Sequence, residues 1–277
     1  MSIKDIVNKI RKGVKAGVAA AKENNVLSDS KIVKLIAEFE NSPERKLMLT
    51  GEKYYQVDND IRNRKITKKM ANGSVVEETF HANNKLAHAK YKNMVDEKIA
   101  YLLSKAPTYQ VDEGDKQDVY IDCVKDILGK HFQYQLSGLG YEASNKGVGW
   151  LQVYIDEFGD LKTMVIPAEQ CIPLWKDRAH MELNTMIRTY QTYAWDYDTK
   201  KTITNVEVWT ADKVTYYRLD GKFLVADYEK NNDAGGPVAH YKVNDAWYTW
   251  GKVPFIPFKN NRIEIPDIKF VKSLVDG

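Results

Sequence analysis

The sequence predicts an α+β chain, with helices first and a mainly antiparallel β-sheet second. Three observations carry this. Up to about residue 140 the apolar residues recur at three- and four-residue spacing, and from Trp150 onward they alternate with a period of two. The aromatics, 17 Tyr and 6 Trp, gather after residue 141, where flat side chains suit a pleated, half-buried surface. The connections between the strand-like runs are short, which makes an antiparallel meander the expected topology.

In chain order, Ile3, Ile6, Val7, Ile10, Val14 and Val18 mark one helical face, with Lys4, Arg11, Lys12, Lys15 and Lys22 mainly on the other. Gly13 and Gly17 weaken this basic amphipathic helix and it has no aromatic anchor, which favours packing against its own protein over lying on a membrane. A second helix is expected to be capped at Ser28, Asp29 or Ser30 and to bury Ile32, Val33, Leu35, Ile36 and Phe39. Pro43 starts a third, since its missing N–H costs nothing in a first helical turn, and that helix is expected to run to about Val57. Residues 59–82 lose the periodicity and combine Arg62, Arg64, Lys65, Lys68 and Lys69 with the turn pair Asn72-Gly73, so they are read as a basic loop or hairpin. A long central helix follows, with Tyr91, Met94, Val95, Ile99, Leu102 and Leu103 inward and an end before Pro107. After a short extended piece at residues 109–111, one more helix is expected, its stripe made of Tyr120, Cys123, Val124, Ile127 and Leu128 and its end near Gly138 or Gly140.

The strand half opens with Leu151, Val153 and Ile155 on one face and Gln152, Tyr154 and Asp156 on the other. Phe158-Gly159-Asp160 turns the chain into residues 161–166, and residues 187–195, 206–210, 214–219 and 223–228 supply further strands. Asp220-Gly221 is a hairpin turn that accepts positive φ at low cost.

Composition excludes several classes. At 43% hydrophobic and 29% charged residues the chain is neither disordered nor fibrous. The net charge is +3, but the first hundred residues are basic and the remainder slightly acidic, a pattern that fits a nearby polyanion and, more commonly, a solvated surface. Cys123 and Cys171 stand far from any C-x-x-C spacing and read as reduced core residues. No apolar run of about 18 residues and no signal-peptide layout is present, so a soluble cytosolic protein is expected.

No catalytic constellation is found: no glycine-rich phosphate loop, no G-x-S-x-G elbow, no H-E-x-x-H. Neither metal nor cofactor is implied. His81, His88, His131, His180 and His240 are scattered and read as surface or satisfied core residues rather than ligands. Asp156, Glu157 and Asp160 have the oxygen chemistry of a cation site or a carboxylate pair, but their place at a hairpin tip is explained by solvation. Trp195, Trp209, Trp247 and Trp250 are read as core in preference to stacking platforms for sugars or bases. The best polyanion candidate is the stretch Arg62, Arg64, Lys65, Lys68 and Lys69, because phosphate binding needs charge and little sequence precision. A solvated loop, or pairing with a neighbouring subunit's acids, accounts for it equally well.

Several stretches together resemble the portal proteins of long-tailed phages of Gram-positive hosts. Asn83-Asn84-Lys85-Leu86, Met94-Val95-Asp96-Glu97-Lys98 and Tyr101-Leu102-Leu103-Ser104-Lys105-Ala106-Pro107 are similar to the family's "N-x-L … VD-x-K … YLLGKPP" helix, with Ser104 and Ala106 departing from its usual Gly and Pro. Ile166 to Trp175 resembles its "P-x-x-x-x-P-x-W/Y" edge, and Glu207-Val208-Trp209-Thr210 its "vEvyT" strand. Trp250-Gly251-Lys252-Val253-Pro254-Phe255-Ile256-Pro257-Phe258-Lys259-Asn260-Asn261 is the most specific piece. The resemblance implies a structural ring, dodecameric in virions, at one head vertex, with DNA passing through unread. Implied partners are further copies of itself, the large terminase subunit, scaffolding and major capsid proteins and a head-completion adaptor.

On that resemblance the chain divides into an N-terminal helical segment (residues 1–58), the basic loop or hairpin (59–82), the helical part of a wing (83–140), its antiparallel β part (141–265) and the start of a stem-leading segment (266–277). The final helical pattern stops without a cap, so the chain is read as a piece of a longer product, with the tunnel-lining parts on no residue present. Alone it is then expected to be a monomer or a weak, heterogeneous oligomer, with closed rings forming once it is extended. Two other readings stay open: a carbohydrate-binding or carbohydrate-acting β-domain with a helical preface, resting on the aromatics and scattered carboxylates, and a non-specific DNA-binding module, resting on the basic loop. Glycan binding by the isolated chain separates the first of these from a portal.

Overall fold

The computed structural model describes residues 27–111, 117–196 and 199–276. The amphipathic helix read at residues 3–18 lies outside them. Helix α1 (Asp29–Asn41) starts after Ser28, whose backbone is extended and whose carbonyl accepts from the Lys31 and Ile32 N–H groups, and it buries Ile32 and Ile36. Ser42, forced towards extended geometry by the proline behind it, separates α1 from α2 (Pro43–Tyr55). The basic stretch becomes a 3-10 turn at Asp60–Asn63 and a hairpin of β1 (Thr67–Lys69) and β2 (Val75–Glu77). Gly73 makes its turn with φ +84, a backbone conformation that costs glycine little.

Helix α3 (Lys90–Leu103) buries Tyr91, Val95 and Ile99, one residue per turn. Of the six residues expected inward, Met94 and Leu102 are exposed, because three neighbouring elements cover a narrower stripe than the periodicity marks. The single helix expected next is two: α4 (Gln117–Leu128) and α5 (Phe132–Lys146), interrupted at Gly129, which takes φ +73. Gly138 and Gly140 end nothing. Gly140 instead lets α5 approach α3, since a Cβ there would lie 2.6 Å from Leu103 and 2.9 Å from Ile99. In α4 the half-buried residues are Ile121, Cys123, Val124 and Leu128, while Tyr120 and Ile127 of the expected stripe are exposed.

The strands follow: β3 (Val148–Ile155), β4 (Leu161–Ile166), β5 (Cys171–Trp175), β6 (Leu183–Asp196), β7 (Thr199–Trp209), β8 (Val214–Asp220), β9 (Phe223–Ala226), β10 (Tyr241–Val243), β11 (Ala246–Tyr248) and β12 (Phe255–Lys259). Helix α6 (Ile268–Asp276) comes last. The α+β reading therefore holds, and so does the meander, with β5 to β9 forming one antiparallel sheet in sequence order. Pro173 sits in its edge strand β5, where a missing donor is tolerated. The strict alternation expected from Trp150 does not hold, since Trp150, Leu151 and Gln152 are all buried, and the Gln152 side-chain oxygen accepts from Arg188 at 3.4 Å.

The chain divides into two compact units, each made of three separate segments. One, the sheet unit, takes the described residues of Met1–Ser42, Tyr109–His131 and Trp150–Pro257; the other, the helical unit, takes Pro43–Thr108, Phe132–Gly149 and the described part of Phe258–Gly277. In the sheet unit, α1 lays Ile32 and Ile36 on Ile172, Ile187, Val206 and Val208. In the helical unit, Tyr54, Tyr91, Val95, Ile99, Ile268 and Val275 form the core. Two glycines permit close approach there: a Cβ at Gly51 would lie 1.9 Å from the Asn145 carbonyl oxygen, and one at Gly147, which has φ +90, 2.1 Å from that of Glu264.

Candidate functional site

The five cations singled out by the sequence lie on one stretch of chain, Arg62 to Lys69, but on different sides of it. Pairing of Lys68 with Val76 and of Lys69 with Val75 puts neighbouring lysines on opposite faces of the β1–β2 hairpin. Lys65, two residues before β1, pairs with Glu77 of β2 at 3.0 Å. Arg62 lies in the 3-10 turn, and Arg64 lends its carbonyl to the Asn83 amide at 2.9 Å. Both strands are exposed throughout, and the hairpin also shows solvent Met70, Val75 and Val76, with Phe80 just beyond at 93% exposure. Charge here stands beside open apolar surface.

The other candidates resolve into structural roles. Asp156 accepts the backbone N–H groups of Phe158 at 3.0 Å and Asp160 at 2.8 Å, holding the turn, and Lys162 reaches both carboxylates. His240 has both ring nitrogens bonded, to the Thr210 carbonyl and the Trp250 N–H, and burial lowers its pKa. His180 stacks on Trp175, and His81 lies 3.4 Å from Glu78. Trp209 is core and Trp250 packs on Tyr241, but Trp195 and Trp247, also expected inside, are exposed on separate hairpins. A β-hairpin that runs past the layer covering it has nothing left to bury its aromatics against.

Three polar networks were not legible in the sequence. In the sheet unit, Glu207 is 6% exposed and accepts from Tyr190 Oη at 2.9 Å and Trp209 Nε1 at 2.9 Å, with Arg188 at 3.6 Å. Burial, then the Glu207 charge, pushes the Tyr190 hydroxyl up to about 12. In the helical unit, Asp267 accepts from Lys98 at 2.7 Å, from Asn260 at 2.8 Å and from the Ser144 hydroxyl. Burial pushes this carboxyl up, yet those three donors outweigh it and hold its pKa below the ordinary value. The third network joins Tyr54, Asp60, Lys53, Lys272 and Asp276. Lys272 at 2.7 Å and then Lys53 at 2.9 Å lower Asp60 to about 2, and Tyr54 donates to Asp276.

These networks give the motif residues physical reasons. In Val95-Asp96-Glu97-Lys98, Val95 is core, Asp96 accepts from Tyr55 at 2.8 Å, and Lys98 ties Asn260 to Asp267. Asn260 and Asn261 both donate to the Ile265 carbonyl, which shapes the chain entering α6.

Comparison with known proteins agrees with the motifs. The family model described as "Phage portal protein, SPP1 Gp6-like" matches residues 37–277. The chain is 30% identical over 263 residues to the portal protein of Bacillus phage SPP1, an alignment covering 94% of this chain and 49% of that one. It is 26% identical over 249 residues to the portal protein of Clostridium phage phiCD119, covering 85% and 51%. The chain thus spans about half the length of the curated relatives it matches.

Proposed function

The chain belongs to the phage portal protein family, and on that footing we propose that it is a structural subunit of the ring at one head vertex, through which double-stranded DNA is packaged and released. Its partners are then copies of itself, the large terminase subunit, the scaffolding and major capsid proteins and a head-completion adaptor. It works by shape and charge, with no reaction, metal or cofactor of its own and no membrane. One observation carries the reading: the family match runs through segments of both units and includes the residues that lock α3 to the start of α6. DNA contact by Arg62, Arg64, Lys65, Lys68 and Lys69 is sequence-blind, since cations spread over two faces of a hairpin can neutralise phosphates but present no fixed pattern to base edges.

The test is immunogold labelling of virions whose genome encodes the chain, with antibody raised against it. Label is expected at the single vertex where the tail joins. Label spread over the head surface, or virions free of the chain by mass spectrometry, would overturn the proposal.

A further inference from the structure

Two exposed surfaces, one on each unit, complement one another. The first is the hairpin face bearing Lys68, Met70 and Val76. Residues 62–80, which include it, carry five cations against two carboxylates, Glu77 and Glu78; Glu77 is engaged by Lys65, and Glu78 lies beside His81. The second is α4, a helix with no fully buried residue among those described. Helical spacing places Asp122, Asp126, Val119, Ile127 and Tyr120 on one continuous outward stripe, acids along one border and apolar residues along the other. The helix carries three aspartates and one lysine. Two strands with nothing buried on either face are marginal by themselves, and an uncovered half-apolar helix is likewise incomplete.

We propose that the Lys68–Met70–Val76 face of one copy docks on the Val119–Ile127 stripe of a second copy, head to tail. Within a single chain both surfaces stay open to solvent. Because the surfaces differ, each copy that uses its hairpin still presents a free α4, so the contact propagates and closes only if the rotation between copies allows it. The inference rests on the portal reading above and names the surfaces by which neighbouring subunits meet. A three-residue hairpin face covers little area, so the contact alone is weak and adds to others.

The experiment uses two forms of the chain, both with Cys123→Ser. One carries Val76→Cys and the other, distinguished by a tag, Ile127→Cys; they are mixed under mild oxidation. A disulfide between the two forms is expected, well above that with an exposed control, Lys222→Cys. Adding Lys68→Glu to the first form should lower the yield several-fold, and adding Asp126→Lys to the second should restore it. Circular dichroism confirms that each form is folded. No excess over the control overturns the pairing, even if immunogold places the chain at the vertex, which would leave the portal reading standing. A third form carrying both Val76→Cys and Ile127→Cys reports contact within one chain, and cross-linking confined to that form also overturns the pairing. So does Lys68→Glu abolishing DNA retention with the cross-link unchanged, which would give the face to DNA.

Discussion

Glu207 is a carboxylate in the interior of the sheet unit, and three donors justify its presence. Removing it leaves Tyr190 and Trp209 without their acceptor and Arg188 without its carboxylate, with Gln152 still accepting from Arg188, and breaking a buried pair by deleting one partner costs about 3–5 kcal/mol. Glu207→Ala is therefore expected to lower unfolding free energy in urea by about 3 kcal/mol. Glu207→Gln keeps one acceptor and should cost clearly less. A loss under about 1 kcal/mol for Glu207→Ala would put the network outside the unit's core energetics. Asp60 makes a prediction of the opposite kind. Lys272 and Lys53 hold its pKa at about 2 against an ordinary 3.8, so its contribution is fully present above the ordinary value and fades as pH falls towards 2. In an acid titration followed by circular dichroism, the advantage of the parent chain over Asp60→Asn should be constant above about pH 5, fall steadily below the ordinary value of 3.8 and be lost as pH drops through about 2. An advantage that does not decline between about pH 4 and pH 2 would assign it to packing. Neither role was legible from the sequence. Glu207 was visible as a letter of a family-like strand, but its partner depends on the register that sets Arg188 opposite it.

At the scale of elements, periodicity read well wherever one side of an element is covered. Helices α1, α2 and α3 and strands β4, β6, β8 and β9 match the sequence reading within a few residues, because the pattern and the cover coincide there, whereas β7 begins at Thr199, seven residues before the expected run at 206–210. It misread α4, where the apolar residues outnumber those the neighbouring strand can cover, and it missed the break at Gly129, where a lone glycine inside a continuing pattern gives a weak signal. Residues 59–82 were recognised as basic and turn-forming, yet charge counting gives no face, and the hairpin register splits Lys68 from Lys69. That split shapes what the stretch can do with DNA. Binding should be weak, indifferent to sequence and steeply salt-dependent, because each phosphate neutralised releases counterions. Fluorescence anisotropy at two salt concentrations measures this. Binding that ignores salt, or that survives neutralising Arg62, Arg64, Lys65, Lys68 and Lys69 together, removes the hairpin from the DNA surface.

For the whole molecule, the feature that periodicity cannot carry is which segments share a core. Periodicity is local, whereas the helical unit is closed by ties between residues 169 positions apart, Lys98 to Asp267, and 222 apart, Tyr54 to Asp276. Helix α6 therefore belongs to a core laid down by α2 and α3 far earlier in the chain. Deleting residues 260–277 removes Ile268 and Val275 from that core and strips Lys98 and Tyr54 of their carboxylate partners. Core truncations of this kind cost about 2–5 kcal/mol each for large side chains, and a whole domain is stable by only about 5–15 kcal/mol. The helical unit of the shortened chain is accordingly expected to unfold. The β5 to β9 meander, whose partners all lie between Cys171 and Ala226, loses none of its pairing. Hydrogen exchange on the shortened chain should thus show amides of α2, α3 and α5 exchanging freely while those of β6, β7 and β8 stay protected. Full protection of α3 would mean that α6 is dispensable to its core. Simultaneous loss in β7 would mean that the two units stand or fall together, and the long-range ties would then be holding up the sheet as well as the helices.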